Sequence, residues 1–430
     1  MKAAIAKLSL CTALTLVVAS FLPWTYLTTA YYIFRYAIMG LIGISLVLTF
    51  SFKRTFAQRF MRIFLLTLTV VFVEFFLFRI FHLKFQLEDF SQLLVAFVCI
   101  SIGMNLDADL KFWKNVCYYY TLGIVVMGLV NCYYYAGGFY VPEEYLFDTG
   151  KNQVGILLAI GAASLFFLGM KDKEKRVHFW LVFFLALVVL LLIRARSSML
   201  ALLACVILVM VKDGNWKWKW SLQTVISVGV VGWLGYILYT GFVGDELQTF
   251  FSGGKDLEGD YYDALSCNRT ERNKLGWQYF CSHLVSGELL ESSGIKCIHN
   301  YVLLRLARYG IWSFPFILFY VYFGVKVLIK SLYPWHDKDT SVGIVVFTLP
   351  FVISFLEPSS PYGPGEVQLL AFLLLGFSMR SMADKKRENQ ESIPSNAIPW
   401  YHEARTWVSN FSRRRGKRSR PNEKDSVVSE

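Results

Sequence analysis

The sequence predicts an all-α fold, a polytopic membrane helical bundle of about 12 transmembrane helices with one large outer loop that contains an amphipathic helix. Two features of the composition carry this prediction: 55% of the 430 residues are hydrophobic, and only 17% are charged. So few charges cannot cover a water-facing surface, which excludes a soluble enzyme, a collagen-like chain and a disordered protein. The function must therefore come from the few polar residues inside an apolar frame.

Apolar runs long enough to cross a bilayer, roughly 20 residues each, recur along the chain. The predicted spans are 8–27, 30–51, 60–82, 89–105, 115–138, 153–170, 177–194, 197–212, 221–242, 299–327, 341–357 and 365–381. Lys and Arg concentrate in alternate connections, for example at Lys53, Lys173 and Lys330, which indicates that these connections are cytoplasmic. An even number of spans then places both termini in the cytoplasm.

The spans divide the chain into four segments. Residues 1–242 form an N-terminal transmembrane bundle of about nine spans, and residues 299–383 add about three C-terminal spans. Between them, residues 243–298 form the outer loop, in which Thr270 to Leu290 has the apolar spacing of an amphipathic helix. Residues 384–430 are interpreted as a basic, disordered cytoplasmic tail whose arginines suit anionic lipid headgroups.

Arginines on the outer side run against the tendency of positive charge to stay inside, and they therefore indicate a ligand. Arg194 and Arg196 directly follow an apolar run, and Arg269 and Arg272 lie in the amphipathic stretch of the loop. The planar fork of donors on arginine fits the oxygens of a phosphate or diphosphate. The sequence thus predicts an outward anion clamp, with pairing of Arg269 or Arg272 to Glu271 on a solvated loop as the ordinary alternative.

Three further polar residues lie at span ends on the same outer side. His299 and Asn300 open the tenth span, and Glu357 closes the eleventh. Histidine exchanges a proton near neutral pH and can serve as a general base towards a hydroxyl, so arginines and histidine together predict a transferase site with a phosphate leaving group. The alternatives are a helix-entry histidine bonded to a loop carbonyl and an interfacial carboxylate. Asp107 and Asp109, on the cytoplasmic side, are interpreted as loop charges.

The eight cysteines form no CxxC pair and show no metal-ligand spacing, so no metal site is predicted. Cys267, Cys281 and Cys297 all belong to the outer loop, where an oxidising compartment would allow one disulfide and one free thiol. A Cys281–Cys297 bond would tie the amphipathic stretch to the entry of the tenth span.

Several motifs, taken in order, resemble the O-antigen polymerase and O-antigen ligase superfamily. They are Arg196-Ser197-Ser198, Arg272 with Trp277, Gly287, His299 to Leu306 with Gly310, Gly150 to Gln153, the Leu356-Glu357-Pro358 turn, and Pro364 to Glu366. The resemblance covers the whole chain through its span count and its large late loop. One departure is Ala195, which precedes Arg196 where the family often has serine.

The resemblance implies a metal-independent, inverting glycosyl transfer without cofactors, at the periplasmic face of the bacterial inner membrane. His299, Arg272 and Arg196 would be catalytic, because the arginines would hold the diphosphate of the donor and the histidine would orient or deprotonate the acceptor hydroxyl. The implied substrate-binding residues are Arg194, Arg269, Asn300, Arg305, Glu357 and Lys151. The implied partners are a polyprenyl-diphosphate-linked glycan donor, a glycan acceptor, the lipid bilayer and a chain-length regulator protein, and nucleic acid is not expected.

These residues leave several functions open. A polymerase extends lipid-linked oligosaccharide repeat units, whereas a ligase transfers the glycan to lipid A–core, and both share the catalytic apparatus. Gly150 to Gln153 and the Leu-Glu-Pro turn favour the polymerase. A lipid-linked oligosaccharide flippase would also need outward arginines but no proton-transfer group. A membrane-bound O-acyltransferase would place its histidine well within a span, whereas His299 lies at a boundary.

Overall fold

The computed structural model describes most of the chain. The described residues are 1–25, 28–80, 87–136, 151–171, 176–193, 195–212, 269–285, 287, 298–332, 338–357, 360–363 and 366–391. Within these ranges the regular structure is helical and no strand occurs, which confirms the all-α prediction. The chain divides into two compact units, Met1–Ser381 and Met382–Glu430. The finer division into four segments stays a prediction.

Fourteen α-helices occur among the described residues. They are α1 Lys2–Ser20, α2 Thr29–Thr49, α3 Phe52–Ala57, α4 Arg59–Ile80, α5 Leu87–Asn105, α6 Leu110–Ala136, α7 Lys151–Lys171, α8 Arg176–Leu192, α9 Arg196–Lys212, α10 Arg269–Ser282, α11 Tyr301–Tyr309, α12 Phe314–Leu332, α13 Lys338–Ile353 and α14 Leu369–Glu391. A 3₁₀ turn, Gly310–Ser313, joins α11 to α12.

Seven helical segments in the described part of the chain are long and apolar enough to cross a membrane. They are Lys2–Ser20, Thr29–Thr49, Arg59–Phe78, Leu87–Asn105, Leu110–Tyr134, Asn152–Gly169 and Tyr301–Val327. The chain is thus compatible with a multi-pass membrane protein. Three shorter apolar helices, Val177–Leu192, Arg196–Val209 and Ser341–Ile353, coincide with further predicted spans. The span at 221–242 falls outside the described residues, so the count of twelve and the orientation stay predictions.

Helix α7 is the most enclosed of the candidate spans, with 89% of its apolar window buried. It packs against α6, α8, α9 and α13. Gly155 in its first turn allows the closest of these approaches, because a Cβ there would collide with Ala195 and crowd Ser198 at the start of α9. The beginnings of α7 and α9 therefore lie together.

Contacts between residues far apart in the sequence bring several helix ends together at one end of the bundle. We call this end the site end. Near the start of α2, the Tyr31 hydroxyl donates to Glu366, 3.3 Å away, just before α14. In the first turn of α5, Asp89 accepts a hydrogen bond from Tyr309 at the end of α11. These helix ends are among those that the charge pattern assigned to the outer side.

Candidate functional site

The outer-loop helix α10 lies against α11 through a small apolar cluster. Ile298, Leu304 and Ala307 are buried together, and Tyr279 of α10 packs against them. Gly276 makes room for this contact, because a Cβ there would lie 2.7 Å from the Ile298 side chain. The predicted loop helix is therefore present, but its packing face is centred on glycine and tyrosine rather than on leucines.

Two glycines lock the turn that follows α10 to the end of α11. Gly287 and Gly310 have φ values of 62° and 55°, in the left-handed region that favours glycine. A Cβ on Gly287 would collide with the Arg308 carbonyl, and one on Gly310 would collide with the Leu284 carbonyl. The Ile311 amide also donates to Leu284 O at 2.9 Å. These contacts hold both helices in one register.

This register brings two predicted catalytic residues together. Arg272 Nη1 lies 3.3 Å from His299 Nε2, although 27 positions separate the residues in the sequence. His299 stands just before α11, where Asn300 caps the helix by accepting a 3.1 Å hydrogen bond from the Leu303 amide. The Tyr301 amide donates to Ser354 O, just after α13, at 3.1 Å, which anchors the start of α11 to the bundle.

Glu357, which follows α13, connects this pair to α9. Its Oε2 lies 3.9 Å from His299 Nδ1, and its Oε1 accepts a 3.4 Å hydrogen bond from the Ser197 hydroxyl. Glu357 is buried, whereas the His299 side chain remains 21% exposed. Arg196 begins α9 next to Ser197 and is half-buried. We call Arg272, His299, Glu357 and Ser197 the contact chain.

The neighbours of His299 favour one tautomer. A guanidinium can only donate, so the Arg272 contact requires an unprotonated Nε2, and the proton then sits on Nδ1, facing the Glu357 carboxylate. The Glu357 carboxylate, 3.9 Å from Nδ1, is beyond hydrogen-bond distance but is the nearest negative charge that the structure gives for this ring. The arrangement suits proton abstraction from a hydroxyl.

The electrostatics of the site end suit an anionic ligand. The helices α7, α9 and α11 all begin here, and a helix N-terminus carries a partial positive charge. Arg196 at the start of α9 and Arg272 beside His299 add positive charge, and the Glu357 carboxylate adds a negative charge. Arginines and helix N-termini together favour an anionic ligand near His299, whose side chain is 21% exposed.

A layer of phenols lies beside the contact chain. The Tyr301 and Tyr362 rings are 5.7 Å apart, and the Tyr320 hydroxyl is 2.7 Å from Ser354 Oγ. Burial, together with the neighbouring phenols of Tyr301 and Tyr320, raises the pKa of Tyr362 well above its ordinary value. Tyr362 therefore stays neutral at physiological pH.

Arg305, a predicted substrate-binding residue, lies in a different cluster. It is buried in an ion pair with Asp89, and its guanidinium carbon lies 4.9 Å from the centre of the Tyr301 ring. Asp89 also accepts from the Tyr309 hydroxyl at 2.6 Å and pairs with Arg308 Nη1 at 3.4 Å. The charge of Arg305 is thus engaged within the protein, and its substrate-binding role stays a prediction.

Sequence reasoning missed two acidic partners at the site end. Asp89 was interpreted only as the first residue of a span, because acidic residues are ordinary at a helix start. Glu366 was noted only in a motif, yet it is buried and pairs with Arg35 Nε at 3.0 Å. An arginine inside an apolar span, such as Arg35, is the signal that could have prompted a search for its partner.

Other predicted residues lie partly or wholly outside the described part. Arg194 is outside it, and for Lys151 and Arg269, which begin α7 and α10, the side chains are outside it. The suggested Cys281–Cys297 disulfide is not formed, since Cys281 is an exposed free thiol in the structure. Cys297 and Cys267 are outside the described residues.

The pair Asp107 and Asp109 lies in the short connection before α6. The Asp109 carboxylate caps α6 by accepting from the Phe112 amide at 2.9 Å, and Asp107 pairs with Arg380 at 3.2 Å. These contacts are those of loop charges. Within the described ranges, no group of three or more His, Cys, Asp and Glu side chains could hold a metal ion.

Comparison with known proteins adds no assignment to this geometry. No protein-family model matches the chain, and a search of curated proteins finds no match.

Proposed function

We propose that the chain is a membrane glycosyltransferase that polymerises polyprenyl-diphosphate-linked oligosaccharide repeat units at the periplasmic face of the bacterial inner membrane. The observation that supports this most directly is the contact chain, in which Arg272, His299 and Glu357 converge from three separate segments beside the start of α9. A histidine next to arginines, at the end of a candidate membrane span, provides a base and positive charge. Glycosyl transfer from a lipid diphosphate requires both.

Arg196 and Arg272 act on the donor in this proposal. Negative charge grows on the diphosphate as its bond to the anomeric carbon breaks, and guanidinium groups stabilise that charge by paired hydrogen bonds. Each well-placed donor contributes about 3 kcal/mol to such a transition state in a site that excludes water. The N-terminus of α9 adds the partial positive charge of the helix dipole near the same oxygens.

His299 acts on the acceptor. Its Nε2 removes the proton from the acceptor hydroxyl while the hydroxyl oxygen attacks the anomeric carbon from the side opposite the diphosphate. The glycosidic C–O bond forms, the C–O bond to the diphosphate breaks, and the diphosphate leaves with the electron pair, which inverts the anomeric centre. Glu357 stabilises the resulting imidazolium through Nδ1.

The Arg272 contact has a mechanistic consequence. Its guanidinium occupies His299 Nε2 in the structure, so the acceptor hydroxyl must replace it before catalysis. The negative charges of the donor diphosphate attract the displaced guanidinium, so Arg272 moves to the leaving group as the acceptor hydroxyl takes its place. One arginine thus caps the resting histidine and stabilises the leaving group.

Reconstitution with lipid-linked repeats tests the proposal and its closest alternative. The purified chain in proteoliposomes should convert lipid-linked repeat units into a ladder of products without lipid A–core and in the presence of a metal chelator. Transfer only when lipid A–core is supplied would instead identify a ligase. If no glycan is transferred and a fluorescent lipid-linked donor crosses the bilayer, the chain is a flippase and the transferase proposal fails.

A further inference from the structure

An exposed apolar patch lies at the turn that follows α10, at the end of this helix away from Arg272. Leu284, Val285, Ile311 and Trp312, which we call the Leu284 patch, are 50%, 67%, 43% and 36% exposed. The hydrogen bond from the Ile311 amide to Leu284 O makes the two halves of the patch adjacent. Together with the paired glycines, this bond fixes the patch in place, so its exposure is built into the fold.

The patch continues a lipid-facing row on α12. The exposed apolar side chains of this helix follow a spacing of three or four residues, which places them on one face. They are Phe314, Leu318, Val321, Val325 and Ile329. Ile311 extends the row by one step, and it lies inside the candidate span Tyr301–Val327. From Ile311 to Ile329 the row is about 27 Å long at ~1.5 Å per residue, close to the ~30 Å of a bilayer hydrocarbon core.

A second candidate span ends at the same level as the Leu284 patch. The Trp312 ring packs edge-on against Phe78, with ring centres 5.6 Å apart, and Phe78 is the last residue of the candidate span Arg59–Phe78. Tryptophan is enriched where membrane spans meet the headgroups. Trp312 therefore marks the boundary between hydrocarbon and headgroups, and Leu284 and Val285 lie beside it.

We propose that the Leu284 patch is immersed in the phospholipid leaflet at the site end and holds α10 at the level of the headgroups. The helix is then fixed on two sides, by the cluster around Ile298 and by lipid. Lifting the C-terminal end of α10 would transfer the patch into water. The inference needs only a membrane-embedded chain and is independent of glycosyl transfer.

Site-directed fluorescence in vesicles tests this placement. Cys11, Cys267, Cys281 and Cys297 are changed to serine, and Val285→Cys carries an environment-sensitive fluorophore. Ile311→Cys provides a depth reference inside the patch, and Lys274→Cys provides a matched control at an exposed polar position of α10. The full-length protein is reconstituted in phosphatidylcholine and phosphatidylglycerol, with and without lipid brominated near the headgroup, and iodide serves as the aqueous quencher.

The probes at Val285 and Ile311 should be quenched by brominated lipid, with iodide quenching about threefold weaker than at Lys274. Iodide quenching at Val285 equal to that at Lys274, without quenching by brominated lipid, would overturn the proposal. Protection of Val285 from both quenchers would also overturn it, because a second copy of the chain or another protein would then cover the patch.

Discussion

Two arginine clusters lie at the site end of the bundle and use the same residue type differently. Arg305 is buried with Asp89 and shares that carboxylate with Arg308 and Tyr309. Arg272 instead lies at a half-exposed histidine, on a helix held by a few apolar contacts and two glycines. We refer to them as the buried cluster and the contact chain.

The difference in burial between Arg305 and Arg272 explains why the two arginines differ in their freedom to exchange partners. A guanidinium that is removed from water must keep its carboxylate, because losing either partner leaves an uncompensated charge in the interior. A half-exposed guanidinium exchanges partners at little cost, since water or a ligand can replace the first one. The buried cluster therefore supports α11, whereas in the contact chain Arg272 and His299 stay partly exposed.

The largest expected effect is on catalysis by the contact chain. His299→Ala should reduce product formation about 10²- to 10⁴-fold, because the general base is lost. The thermal midpoint in detergent should change little, because the side chain is partly exposed. His283→Ala is the matched control. His283 lies just after α10 and stacks on Tyr279, so this variant should retain activity. Equal activity of His299→Ala and the control would remove the transferase mechanism.

Breaking the buried cluster should affect stability first. Asp89→Leu leaves Arg305 without its carboxylate, and we expect a loss of about 3–5 kcal/mol in unfolding free energy, measured by thermal or denaturant unfolding in detergent. The double variant Asp89→Leu/Arg305→Leu should recover much of this loss, because no charge is left buried and unpaired. A double variant as unstable as the single one would contradict the ion-pair interpretation.

A smaller effect is expected where the contact chain meets the bundle. Glu357→Gln should lower kcat about 10- to 100-fold and leave KM nearly unchanged, because the amide no longer stabilises the imidazolium. Glu366→Gln removes another buried carboxylate, paired with Arg35, and serves as the control. If both variants lose activity in proportion to their loss of stability, Glu357 has a structural role only.

The smallest expected effect is on the stability of Asn300 variants. Two variants together distinguish a capping role of Asn300 from a substrate-binding role. Asn300→Ala should cost about 1 kcal/mol of stability because the Leu303 amide loses its acceptor. Asn300→Ser can restore the cap and should restore the thermal midpoint. Activity that stays low in the serine variant would indicate a direct substrate contact beyond the cap.

Much of the fold could be predicted from local sequence. The lengths of the apolar runs predicted most of the helices, and the ends that gather around His299 were already assigned to one side by charge. The loop helix was predicted too, with apolar positions at Leu275, Tyr279, Phe280 and Leu284, and of these Tyr279 packs against the Ile298 cluster. Leu275 and Leu284 have the correct spacing and are exposed, because the contact with α11 depends on the small size of Gly276.

Such reasoning predicted only part of the candidate site. Residue type and sidedness identified Arg272, His299 and Glu357, since their chemistry is visible in a single chain. Arg305 was selected only through the family resemblance, which cannot separate the two cases because an arginine one turn into a helix looks alike whether it faces a ligand or a carboxylate. Its partner Asp89 stands more than 200 positions earlier in the sequence.

The sequence by itself indicated a helical, membrane-compatible chain and assigned the candidate site residues to one predicted side, because hydrophobic length and residue chemistry are local properties. Only the tertiary structure decided which arginine meets the histidine and which is buried with an aspartate. Those contacts join residues 27 and 160 positions apart, and longer distances still in the buried cluster. They depend on how closely two helices approach, which side-chain volume and glycine geometry set in three dimensions.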